Sequence, residues 1–84
     1  MEGVKNGIGE ERNKKGLIEY RGYFAYGKRN GYGALFWPND RPKYIGQFKL
    51  GSFHGEGEEF DMYGTRTFIG TYMEDERMEY AKEF

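Results

Sequence analysis

In the stretch Tyr20-Arg21-Gly22-Tyr23-Phe24, two aromatic rings and a glycine occupy alternate positions. That spacing of two puts them on one face of an extended strand. The same alternation returns 24 residues later in Tyr44, Gly46 and Phe48, and again in Phe68, Gly70 and Tyr72. A bare glycine between two rings lets them lie over the backbone, although it weakens the strand entropically. Polar, glycine-bounded segments follow the first two runs, Gly27 to Gly31 and Gly51 to His54, and these read as hairpin connections. The pattern predicts strands at Tyr20 to Phe24, Tyr32 to Trp37, Tyr44 to Leu50 and Gly55 to Asp61. The strand from Tyr32 is the most apolar stretch of the chain, and the one from Gly55 carries Glu56, Glu58, Glu59 and Asp61. Pro38, Asn39, Asp40, Arg41 and Pro42 end the apolar strand, since proline removes a ladder donor and Asn or Asp tolerates turn conformations.

Glycine keeps the same beat throughout. The columns Gly3/Gly27/Gly51, Gly7/Gly31/Gly55, Gly9/Gly33/Gly57, Gly22/Gly46/Gly70 and Gly16/Gly64 hold all 14 glycines of the chain, and Asn6, Asn30 and His54 precede a glycine each time. A fixed period of about 20 to 50 residues marks a repeat architecture in which one supersecondary unit stacks on the next. The chain therefore divides into a partial unit (1–19), two full units (20–43 and 44–67), a partial unit (68–72) and a tail (73–84). The first unit has Glu11, Arg12 and Asn13 where the next has Leu35, Phe36 and Trp37, as suits a cap with no neighbour. In the tail, Asp75, Glu79 and Ala81 replace the period's glycines, so no further strand is expected. Met73, Tyr80, Ala81 and Phe84 fall near one helical face, with Glu74, Asp75 and Glu76 early, where negative charge suits the helix dipole. The tail reads as a short C-terminal α-helix covering the last strand's edge.

At 84 residues this is one small domain with a thin core. Aromatic residues make up 19% of it against 32% charged, which is too aromatic for a disordered chain and suits a thin sheet with aromatic ridges. The net charge of −1 gives nucleic acid no summed attraction. Without cysteine there is no disulfide, thiolate or cysteine-based zinc chemistry. No signal peptide and no long apolar run is apparent, so a cytoplasmic protein is the default expectation.

The two full units, Tyr20-x-Gly22-x-Phe24 with Gly27, Gly31 and Gly33, and Tyr44-x-Gly46-x-Phe48 with Gly51, Gly55 and Gly57, resemble the MORN (membrane occupation and recognition nexus) repeat family. The resemblance extends to about Tyr72. It implies an all-β fold, a single-layer antiparallel meander of hairpins with a groove along one side. It also implies a protein-binding scaffold more often than a membrane-binding one.

Catalytic readings are weak. His54 stands where Asn6 and Asn30 stand, so a turn role explains it, and general-base work needs a partner that the period does not supply. The glycine pairs lack the context of a phosphate-binding loop. The acidic residues Glu56, Glu58, Glu59 and Asp61 alternate between strand faces and read as a solvated strand, not a calcium site. No cofactor or metal is expected. The aromatic ladder is the candidate site: a single sheet has no second layer to cover it, and exposed aromatic rows are what interface hot spots use. Tyr20, Phe24, Tyr44, Phe48, Phe68 and Tyr72 are expected to pack on each other while offering their remaining faces to a partner, with Leu35, Phe36 and Trp37 as the central contact. The function expected is a non-enzymatic scaffold or adaptor, a structural subunit of a larger cytoskeletal, ciliary or mitochondrial assembly. Two alternatives are carried. One is a peripheral membrane module binding anionic phospholipid head groups through the pairs Lys14/Lys15, Lys28/Arg29 and Arg41/Lys43. The other is an edge-to-edge homo-oligomer.

Overall fold

In a computed structural model, which describes residues 6–78, seven strands follow one another and pair in chain order in a single antiparallel sheet. They are β1 Gly7–Arg12, β2 Ile18–Ala25, β3 Lys28–Phe36, β4 Pro42–Lys49, β5 Ser52–Phe60, β6 Arg66–Met73 and β7 Glu76–Met78. The molecule measures 50 × 29 × 15 Å. Its shortest dimension holds one sheet and its side chains, because two stacked sheets alone stand about 10 Å apart before their outer side chains are added.

Three two-residue turns set the hairpins: Tyr26-Gly27, Leu50-Gly51 and Glu74-Asp75, with φ values of 55° and 78°, 46° and 98°, and 51° and 73°. Positive φ at both central positions is the turn whose twist matches that of the flanking strands. The connections are therefore shorter than the glycine-bounded segments suggested. Lys28 to Asn30 and Ser52 to His54 belong to β3 and β5, and Gly31 and Gly55, at φ 96° and 92°, lie where the register shifts at β-bulges.

The tail differs from its expectation too. No helix forms from Met73 to Met78; instead Glu74-Asp75 turns and β7 pairs with β6 through Thr71↔Met78, Tyr72↔Arg77 and Met73↔Glu76. Aspartate tolerates the left-handed conformation better than most residues with a side chain, so losing the period's glycine at position 75 did not end the hairpin pattern. The remainder of the expected helix, 79–84, lies outside the described residues.

Register explains the glycine columns. Gly9, Gly22, Gly33, Gly46, Gly57 and Gly70 are successive cross-strand partners, forming one row of bare backbone across β1 to β6. The Tyr20 ring lies on this row: a Cβ on Gly33 would sit 2.5 Å from its Cε1 and Cζ. Tyr44 lies on Gly57 and Phe68 on Gly70 in the same way.

Candidate interaction surface

The ladder runs along one face of the sheet. Tyr20 meets Phe24 and Phe48 edge-on, with centroids 5.1 and 5.2 Å away; Tyr44 meets Phe48 and Tyr72 at 5.1 and 5.5 Å and stacks on Phe53 at 4.0 Å. Such pairs contribute about 0.5–1.5 kcal/mol each beyond area burial. The Tyr20 and Tyr44 hydroxyls donate to the carbonyls of Tyr23 and Gln47, each at 2.8 Å. Both ends are closed by charged side chains. Arg29 lies over the Tyr20 ring at 5.0 Å and is held by Glu11 at 2.7 Å. At the far end Arg77 lies over Phe68 at 4.3 Å, pairs with Glu59 at 3.0 Å, and Glu59 also accepts the Tyr72 hydroxyl.

This closure corrects the sequence expectation of a ladder with free ring faces. Tyr20, Phe24, Tyr44, Phe48 and Tyr72 are 0, 4, 1, 4 and 2% exposed within this chain alone. The glycine row lets each ring lie flat, so neighbouring rings and the long Arg29 and Arg77 side chains cover what a second layer would cover elsewhere. Burial raises the pKa of all three ladder tyrosines, Tyr44 to about 12, and the bond to Glu59 raises Tyr72 further. They are neutral phenols near pH 7. Glu59 is held below the usual carboxylate range, chiefly by its hydrogen bond from Arg77.

The other residues singled out from sequence remain partly open. Leu35, Phe36 and Trp37 come together with Leu17, Pro38 and Lys43 in a hollow of about 400 Å³ where β3 runs into its loop. Three side-chain bonds tie that loop to the next one. Trp37 Nε1 donates to the Phe60 carbonyl at 3.1 Å, Asn39 to that of Met62 at 2.9 Å and Arg41 to that of Tyr63 at 2.7 Å. Lys43 lies over the Trp37 ring at 4.9 Å. Phe68 is not part of this hollow; it packs on Tyr72 at 5.4 Å beneath Arg77.

The topology also sorts the charged groups. Lys14/Lys15 and Arg41/Lys43 lie at the sheet end that holds the β1–β2, β3–β4 and β5–β6 loops, whereas Lys28 lies at the opposite end and Arg29, rooted beside it, reaches back to Glu11 and the Trp37 hollow. Glu59 faces the ladder, while Glu56 and Glu58 belong to the other face with Tyr32, Ile45 and Ile69. His54 sits within β5, not in a turn. Asn6 and Asn30, its counterparts in the period, accept the N–H of Tyr26 at 3.1 Å and of Leu50 at 2.9 Å, stitching one hairpin to the next. His54 Nδ1 is buried and has no hydrogen-bond partner among the described residues.

The open face carrying Tyr32, Ile45 and Ile69 was missed by the sequence reading. A signal existed: Ile45 and Ile69 form a column of the 24-residue period, as do Ile8 and Tyr32.

Fold and surface together define a single-sheet β-repeat protein with open hollows on both faces. A family model for the MORN repeat matches residues 20–40 and 44–65, together just over half the chain. The chain belongs to the MORN repeat family, whose repeats are generally involved in protein–protein or protein–membrane interactions. A search of curated proteins finds no match.

Proposed function

We propose that this protein is a non-catalytic scaffold or adaptor, a structural subunit of a larger assembly of the cytoskeletal or ciliary kind, and that it holds an apolar partner segment in the Trp37 hollow. The observation that supports this most is the contrast between a sealed ladder and an open pocket beside it. Leu17, Leu35, Phe36 and Trp37 line a space of about 400 Å³ that nothing in the described chain fills. That size lies within the range of about 300–1,000 Å³ usual for ligand sites, and a tryptophan fixed through its ring nitrogen is the side chain most enriched at interface hot spots.

Cross-linking mass spectrometry on the native source identifies the partner, and Leu17→Ser and Trp37→Ala then test the hollow. A loss of partner affinity of about tenfold or more, with the fold retained by circular dichroism, is the expected result. Undiminished binding by both variants refutes this surface. The second reading, a peripheral membrane module, draws on the placement of Lys14/Lys15, Arg41/Lys43 and the exposed Met62 and Tyr63 at one sheet end. Sedimentation with vesicles that does not respond to anionic lipid or to salt disposes of it.

A further inference from the structure

The face opposite the ladder carries a second hollow, beyond the reading above. Tyr32, Ile45 and Ile69 are 60, 43 and 57% exposed there. They flank a space of about 440 Å³ whose floor is Glu56, Gly57 and Glu58 of β5. The ladder registers Ile45↔Glu58↔Ile69 and Glu56↔Thr71 put an apolar wall on β4, a second on β6 and two carboxylates between them. Glu58 reaches a cation only loosely, Arg66 at 3.8 Å with both side chains exposed, and Glu56 has no ion-pair partner among the described residues. Gln47, on the same face, uses its side-chain oxygen to accept the Glu56 backbone N–H at 2.8 Å and so brings no cation to the Glu56 carboxylate.

We infer that this trough receives an amphipathic helix of a partner protein carrying two basic residues one turn apart. A sheet face, unlike a sheet edge, offers an incoming chain no backbone pairing, so the occupant must satisfy its own backbone groups, as a helix does. The walls on β4 and β6 are two strand spacings apart, about 10 Å between backbones, so a helix of about 10–12 Å diameter rests on both walls and lowers one row of its side chains between them. Residues 56 and 58, alternate positions on one strand, are about 7 Å apart along it. Positions i and i+4 of a helix advance about 6 Å along its axis. Lys or Arg at that spacing meets both carboxylates while apolar neighbours rest on Ile45 and Ile69.

The test uses the full chain and a synthetic helical peptide of about 14 residues, about four turns, with leucine on one face and two lysines at i and i+4, followed by NMR titration and calorimetry. Shifts centred on Ile45, Glu58 and Ile69 are expected, with affinity falling about tenfold in Glu56→Gln/Glu58→Gln and also when the peptide lysines become glutamine. Ile45→Ser should weaken binding. Equal affinity for the glutamine variants, shifts elsewhere, or no binding at millimolar peptide overturns the inference. So does concentration-dependent dimerisation that Ile45→Ser abolishes, which would make a second copy the occupant.

Discussion

Gly33→Ala adds a single methyl group, and its effect measures how the sheet makes a core. Gly33 has no positive φ, so on backbone grounds alone alanine should stabilise the protein by about 0.4–1 kcal/mol through the unfolded chain. The structure reverses that sign. The new Cβ would clash with the hydroxyl edge of the Tyr20 ring, 2.5 Å from two of its carbons, so the ring must leave its seat. Tyr20 then loses edge contacts with Phe24 and Phe48, about 0.5–1.5 kcal/mol each. It also loses its bond to the Tyr23 carbonyl, about 1 kcal/mol. Set against the backbone gain, the net loss is about 1–3.5 kcal/mol, in line with the cost of overpacking a core. A chain of 84 residues has roughly 4–12 kcal/mol of stability in all, so urea and thermal unfolding resolve the change easily. The double variant Tyr20→Ala/Gly33→Ala isolates the cause, because without the ring the extra methyl should be neutral or slightly stabilising. A destabilisation under about 0.5 kcal/mol, less than the usual cost of one core contact, or an equal cost of Gly33→Ala in both backgrounds, would refute the reasoning.

Two further outcomes follow from the stitches and the lids. His54→Asn places a side-chain oxygen where Asn30 has one in the preceding repeat, and chemical denaturation should show a gain of about 0.5–1 kcal/mol from the hydrogen bond thus completed. Glu59 has a folded pKa below its usual 4.5 because Arg77 and Tyr72 bond its charged form. It therefore adds stability that is full above about pH 4.5 and is lost as pH falls through the lowered value. The protection of the β6 and β7 amides, taken relative to the intrinsic exchange rate at each pH, should fall as pH drops below 4.5, and Glu59→Gln should remove that loss of protection. Protection that stays constant through this range in the unmodified protein would contradict the role given to the lid.

The repeat, the strands and the family were legible because glycine and aromatic residues share one period, and a period survives errors in placing individual turns. The hairpin connections were less so. A glycine with positive φ serves a turn at Gly27 and Gly51 and a bulge at Gly31 and Gly55, and sequence spacing does not separate the two uses. The C-terminal hairpin was obscured by Asp75, whose tolerance of the left-handed conformation lets it replace glycine. The ladder residues were found, but their accessibility was not, because it depends on glycines from six strands falling into one row and on Arg29 and Arg77 folding over the ends. The apolar face was overlooked since Tyr32, Ile45 and Ile69 alternate with glycines and larger rings that dominate the pattern of β3, β4 and β6.

The central claim is that one sheet buries its own rings by laying them on a row of glycines. Proton NMR reads this directly, because an aromatic ring seated on a glycine shifts that glycine's Hα strongly upfield and gives cross-relaxation between the two. The account predicts such shifts for Gly33 and Gly57, with contacts to the Tyr20 and Tyr44 rings respectively. Ordinary glycine shifts and no ring contacts at these two positions, in a protein whose strands are formed, would contradict it.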